Sequence, residues 1–454
     1  MSKLNTSRID ASRRRFLRTA SVVSGSVGTA AAPFALNLAS LNTAVAQTAS
    51  DYKAIVCLFL YGGNDSSHMV LRTDALSFNE YTRLRSVAPE SIALKAPGTA
   101  VVPGAALASP DRLGGVRAIA PKFTASVAGS TENQAFSFAL HPSMPEVATL
   151  FAANRLAILA NAGPLVVPLT RADYVANVKP RPKALGSHND QQSTWQALGT
   201  EGVKVGWGGH LGDLVASSNS NTVFTSISVS GNAVFSAGET VFQYQVGSGG
   251  ATQIGGLSGT LFGSTTAAAA LKNIVTGSNQ HLFANEYGAI VKRSVDAQAS
   301  FQTAFALSTA VAPTQYVQPS TNNLANNGLA SQLQTVARII GARAGLAGGD
   351  MRNNVTLFTA SDFGRTLTSN GDGTDHGWGS HHFVMGGAVK GGEIYGRFPQ
   401  FGLNLNDSAN NAYLPVTSVD TIGSTLGRWF GVSDAQLDVV FPNLPNFSRD
   451  LGFL

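Results

Sequence analysis

The chain has 454 residues, 44% of them hydrophobic and only 13% charged, with a formal net charge of +5 and one cysteine, Cys57. That apolar fraction excludes a disordered chain, and a lone cysteine excludes an intramolecular disulfide. Six of the 31 basic residues but one of the 26 acidic residues lie in positions 1–46, and the 25 of each that remain cancel. The basic balance is therefore a property of the N-terminus and gives no electrostatic case for a nucleic-acid partner.

Ser12-Arg13-Arg14-Arg15-Phe16-Leu17-Arg18 has the S-R-R-x-F-L-K spacing of a twin-arginine export signal, with Arg in the last place. A weakly apolar stretch rich in Ala, Gly and Ser follows and ends at Ala44-Val45-Ala46, an A-x-A cleavage pattern. The stretch is too interrupted for a membrane span. Residues 1–46 are read as a signal peptide and 47–454 as one exported α/β domain, periplasmic or extracellular, without a transmembrane anchor after cleavage.

Ala54-Ile55-Val56-Cys57-Leu58-Phe59-Leu60 is a continuous apolar run closed by Gly62-Gly63-Asn64-Asp65, the pattern of a parallel strand buried on both faces. Residues 86–134 have little periodicity and read as an irregular insertion. A helix is expected after His141-Pro142, with Met144, Val147, Leu150 and Phe151 on one face, then a strand at Leu156–Ala160. Val223–Val229 alternates as a strand would, and residues 230–265 form a second Gly/Ser/Thr-rich insertion. Helical patterning runs from about Ala267 to Leu307, broken near Gly277, and resumes with Leu329, Leu333, Val336 and Ile340. Val355–Ala360 and His382–Met385 read as strands, and a last helix starts near Ser418 or Asp420. The alternation of strands and helices predicts an α/β fold with a largely parallel central sheet flanked by helices. Ligands of such sheets gather beyond the carboxyl ends of the strands.

Three polar clusters could carry chemistry. The densest spans Ser361-Asp362-Phe363-Gly364-Arg365-Thr366 and the Gly371–Gly387 stretch, with Asp372, Asp375, His376, His381 and His382. A strand-end carboxylate near an imidazole suits a metal ion or acid–base work; the same aspartates could equally cap tight turns. The second, Gly186-Ser187-His188-Asn189-Asp190-Gln191-Gln192, reads either as a nucleophile beside a base or as a helix start capped by Ser187 or Asn189. The third is Asp65 with His68. No P-loop, dinucleotide fingerprint or C-x-x-C pair occurs.

Together the G-G-N-D, S-H-N-D-Q-Q and S-D-F-G-R-T…G-T-D-H-G-W-G-S-H-H-F-V segments resemble the bacterial family called domain of unknown function 1501, over most of the mature chain. That family is similar to the alkaline phosphatase and sulfatase superfamily, whose phosphopentomutase and phosphoglycerate mutase branches share the order T-A-D-H-G, then G-T-D-H. The resemblance implies an alkaline-phosphatase-like fold with Asp65, Asp362 and His376 as metal ligands and Ser187 as nucleophile; in a hydrolase Arg365 would steady the anion. It also exposes departures. Phe363 stands where the superfamily has a ligating histidine, and the family's G-G-F-D-T-H strand end is missing, because Gly348-Gly349-Asp350 runs almost directly into the next strand. At most one divalent ion (Zn, Mn or Ca) would remain. The expected function is a non-catalytic binding protein with a degenerate metal site, its partner an envelope polymer or protein or a small anionic ester. The alternative is a metal-dependent hydrolase of phosphate or sulfate monoesters.

Overall fold

The computed structural model describes residues 52–308 and 352–454, apart from 107, 108, 220, 248, 249, 252, 279 and 372. The expected signal peptide, the helix expected around Leu329–Ile340 and Asp372 lie outside the described residues. The family's missing strand end would also fall in the segment before residue 352.

The apolar runs form the centre of the molecule. β1 (Ala54–Leu60), β5 (Leu156–Gly163), β9 (Val355–Ser361), β10 (Ser380–Gly386), β11 (Ile394–Tyr395) and β14 (Thr417–Ser418) make one sheet. Its order is β1-β9-β10-β5-β11, with β14 also paired to β5. β1–β9, β5–β11 and β5–β14 are parallel, whereas β10 runs against both of its neighbours. The sheet is thus mostly parallel, with one reversed strand inside it.

Period-2 alternation sends neighbouring side chains to opposite faces. Leu156, Ile158 and Ala160 of β5, Leu357 of β9 and Phe383 and Met385 of β10 pack on one face with Val147 and Phe151 of the helix Pro145–Ala152. Val70, Phe138 and Leu140 cover that face too; they belong to a small antiparallel sheet of β2 (Val70–Arg72), β4 (Phe138–Leu140) and β3 (Arg117–Ile119). On the other face Ala157, Leu159, Phe358 and Val384 meet Trp195, Trp207, Leu211, Ile422 and Leu426. These come from the helices His188–Ala197, Trp207–Val215 and Val419–Phe430. Each fully buried Leu, Ile or Phe contributes about 1.5–3 kcal/mol, so a sheet covered on both faces is a rigid platform for what its strand ends carry.

The insertions are not wholly irregular. The first supplies β3, and the second carries β7 (Tyr244–Gly247) and β8 (Gly250–Ala251) beside β6 (Ile227–Ser228). β6 is all that forms of the strand expected over Val223–Val229; Thr222–Phe224 is a 3-10 turn. β12 (Ser408–Ala409) and β13 (Ala412–Tyr413) form a separate hairpin. The helical stretch divides at Gly277 as expected, into Thr265–Thr276 and Leu282–Ser308. Ser418 caps the last long helix by accepting from the Asp420 amide. No helix among the described residues is long and apolar enough to cross a membrane.

Candidate functional site

β1 and β9 pair in register from Ala54 opposite Val355 to Leu60 opposite Ser361, so they leave the sheet together. The pairing continues in a bridge between Asn64 and Gly364. Gly62 and Gly63 turn the chain at positive φ (+95° and +84°). A Cβ on Gly63 would lie 2.4 Å from the Phe363 ring and 3.0 Å from Arg365 Nε, so only glycine fits this crossing. Across it the Gly62 amide donates to Asp362 Oδ2 at 3.2 Å, and Arg365 Nη2 donates to the Gly62 carbonyl. The G-G-N-D and S-D-F-G-R segments therefore form one layer at the carboxyl ends of two parallel strands.

Asp65 stands at the start of the short helix Ser66–Met69. Its two oxygens accept from Arg85 Nη1 at 2.5 Å and Arg85 Nη2 at 3.1 Å, and His68 Nδ1 lies 3.4 Å away. Arg85 is completely buried and also donates to the carbonyls of Thr366 and Leu367. Burial alone would raise the Asp65 pKa, but Arg85 and then His68 outweigh it and bring it down to about 2.

Asp362, the residue after β9, is fully buried. Its Oδ2 takes His188 Nδ1 at 2.5 Å and Gln192 Nε2 at 3.0 Å in addition to the Gly62 amide. Its Oδ1 is buried without a hydrogen-bond partner. His188 is half exposed and lies against the rings of Phe363 and His376, at centroid distances of 4.7 and 4.5 Å. His376 stacks on Phe363 at 4.4 Å and bonds the Gly186 carbonyl through Nδ1 at 2.6 Å. A carbonyl and a carboxylate only accept, so both imidazoles carry a proton on Nδ1 and turn Nε2 away from these partners.

The remaining expected residues have structural bonds. Ser187 caps the helix His188–Ala197, accepting from the Asp190 amide and donating to Asp190 Oδ2 at 2.9 Å. Arg365 ties the loop together through the carbonyls of Thr374 and Gly62. Burial lowers its pKa, opposed by Asp65, Asp362 and Asp375. Asp375 holds the Gly371–Gly377 turn by accepting from Asn370. His381 and His382 point into the core from β10: His381 stacks on Phe398 at 4.0 Å, and His382 meets the edge of Trp195. His381 accepts the Asn161 amide on Nδ1, and burial lowers both imidazoles to about 3.

The fold thus brings Asp362, His376 and Arg365 to one layer with Asp65, but Arg85 occupies the Asp65 carboxylate and Phe363 separates the others. Among the described residues no three His, Cys, Asp or Glu side chains group so as to hold a metal ion. At Asp65 the Arg85 guanidinium supplies the positive charge. The pairing of His188 and Gln192 with Asp362, and of Arg85 with Asp65, is what sequence reasoning left out. His188 and Gln192 are spaced i, i+4 and so share a helix face, a signal present in S-H-N-D-Q-Q; Arg85 carries no motif.

Residues 343–441 match the sequence family described as Protein of unknown function (DUF1501), and over that stretch the chain is similar to it. The stretch contains Asp362, Arg365, His376 and β10, but neither the G-G-N-D turn nor the S-H-N-D-Q-Q helix start. No curated protein and no solved structure matches the chain.

Proposed function

We propose that this chain is an exported, non-catalytic binding protein of alkaline-phosphatase-like architecture, whose strand-end polar layer has become a set of internal pairs. The observation that carries the reading is the bidentate Arg85–Asp65 bond at a completely buried guanidinium. A fixed protein cation neutralises one of the acids that a metal-dependent relative would use. Two-metal ester hydrolysis needs ions free to hold both the attacking and the leaving oxygen, and this arrangement offers no such seat. Export is supported by the order of Arg13-Arg14, apolar stretch and Ala44-Val45-Ala46. The partner is an envelope polymer or protein.

A second reading, a metal-dependent hydrolase of phosphate or sulfate monoesters, is favoured by one observation. Asp362 Oδ1 is buried without a partner beside an imidazole held by Oδ2. A carboxylate–imidazole pair is a unit of general acid–base catalysis, and idle carboxylate oxygens are costly unless used.

One preparation tests both readings. Protein purified without chelator should contain no stoichiometric Zn, Mn or Ca, and should turn over a panel of phosphate and sulfate monoesters no faster than His188→Ala. A metal lost in Asp362→Ala, or turnover lost in His188→Ala, would replace the binding reading with the hydrolase. The same cells should hold the chain, starting at Gln47, in the periplasmic fraction; accumulation there of the Arg13→Lys/Arg14→Lys variant would remove the export assignment.

A further inference from the structure

A second polar feature lies between the small antiparallel sheet and the segment around residues 397–407, and shares no residue with the Asp362 layer. It is a cavity of about 430 Å³ with Arg72, Phe136, Gln400, Asn404 and Asn406 in its wall. That volume is in the range of small-molecule sites, ~300–1,000 Å³.

Arg72 is the last residue of β2 and only 6% exposed. Its Nε donates to Asp74 Oδ2 at 2.8 Å, and its guanidinium carbon lies 3.3 Å from the centre of the Phe136 ring. Among the described residues its two terminal nitrogens make no hydrogen bond. Two other arginines differ. Arg85 uses all three nitrogens internally, and Arg397, in the same wall, gives both terminal nitrogens to Asp407 at 2.5 and 2.6 Å. A guanidinium this little exposed, with its fork unused and open towards the cavity, has room there for an acceptor. The stacked ring and the Asp74 bond fix its plane, so the fork is set in advance.

A planar carboxylate matches two parallel N–H donors better than any other common group. The charges choose between anions. Glu132 and Asp407 also line the cavity, so its formal charges cancel, and a dianion would meet two carboxylates. The amides of Gln400, Asn404 and Asn406 offer donors and acceptors together, the complement of hydroxyl groups. We propose that this cavity binds a monoanionic, hydroxyl-bearing carboxylate of the uronic-acid class, with the carboxylate on Arg72 and hydroxyls on the three amides. The proposal stands independently of the reading of the Asp362 layer.

Titration calorimetry of the full mature protein tests it, with galacturonate and glucuronate as probes and galactose and inorganic phosphate as comparisons. At least one uronate should bind saturably below about 10 mM, tighter than galactose or phosphate. Arg72→Lys, which keeps the charge but cannot form the fork, should weaken binding about tenfold or more. Asn404→Ala, a change outside the small sheet, should weaken it several-fold, and decides the matter if Arg72→Lys does not fold. The proposal is overturned by no uronate binding, by equal or tighter binding of galactose or phosphate, or by unchanged affinity in the variants that fold.

Discussion

Two adjacent parallel strands each end near an aspartate, and the two carboxylates have opposite circumstances. Asp65, beyond β1, has both oxygens on the buried Arg85. Asp362, beyond β9, has one oxygen on three donors, including the half-exposed His188, while the other makes no bond. The first is a closed ion pair whose cation also ties down the Thr366 and Leu367 carbonyls. The second is a loaded but incomplete centre connected to solvent through an imidazole. Two acids at neighbouring strand ends thus serve differently, one in a structural bond and one in an open polar centre. Removing one partner of a buried ion pair strands the other charge, whereas removing an oxygen that bonds nothing strands nothing.

Acid has the largest expected effect, and it sets the window for the comparison. His141, His381 and His382 are buried, and burial lowers each to about 3. Unfolded imidazoles accept a proton near pH 6.5, which these three refuse while folded. Their contribution is complete above that pH and is lost as pH falls towards 3, at about 1.4 kcal/mol per pH unit for each. Urea denaturation should therefore show a loss of roughly 3–4 kcal/mol between pH 6 and 5. A flat profile would mean that these rings are solvated. Asp65, lowered to about 2, contributes above its unfolded pKa near 3.8 and is lost only as pH falls through 2. The two carboxylates are thus to be compared at neutral pH, above the range in which the buried imidazoles act.

Of similar size is Arg85→Ala, which leaves the Asp65 charge and two carbonyls without their donor. It should cost about 3–5 kcal/mol at pH 7.5 by chemical denaturation, with Arg83→Ala as the control. Arg83 is exposed and pairs only with Glu80, so its removal should leave the midpoint unchanged. Equal effects of the two substitutions would show that the Asp65 pair is not closed.

Arg83 and Arg85 also mark where sequence reading stops. They are two residues apart on one polar helix, yet one is solvated and the other completely buried. Helical periodicity puts them on opposite faces, Arg85 on that of Ser77, Tyr81 and Leu84, but it does not name the partners of Arg85, which are residues 65, 366 and 367. The apolar runs at Leu156–Ala160 and Val355–Ala360 were legible as strands because burial on both faces demands continuous hydrophobicity; Ala54–Leu60 forms its strand too, but at the end of the sheet and only half-buried. The reversal of β10 was not, since alternation carries no direction. β11 and β14 are two residues each, held by pairing with β5 rather than by any pattern of their own. Val223–Val229 shows the converse. Its alternation met only the two-residue pairing of β6 with β7, and Ile227 and Val229 are exposed. In the site, Asp362 was visible as an acid closing a strand. The bond from His188 was not, for it spans 174 residues and exists only once the helix His188–Ala197 packs behind β9.

The sharpest test of the contrast replaces each acid by its own amide. Asn at position 65 keeps one acceptor but no charge, and it leaves the buried Arg85 guanidinium facing a neutral group, at a cost of about 3 kcal/mol. Asn at position 362 keeps an acceptor for Gly62, His188 and Gln192 at the Oδ2 position. It places its amide nitrogen where Oδ1 bonds nothing, and it removes a buried charge, so the two changes oppose each other. Asp362→Asn should lie within about 1 kcal/mol of the parent protein. Denaturation midpoints of the two variants at pH 7.5 give the difference directly. If Asp362→Asn is as damaging as Asp65→Asn, its carboxylate is as essential to the fold as the Arg85 pair, and the open polar centre is a second structural bond.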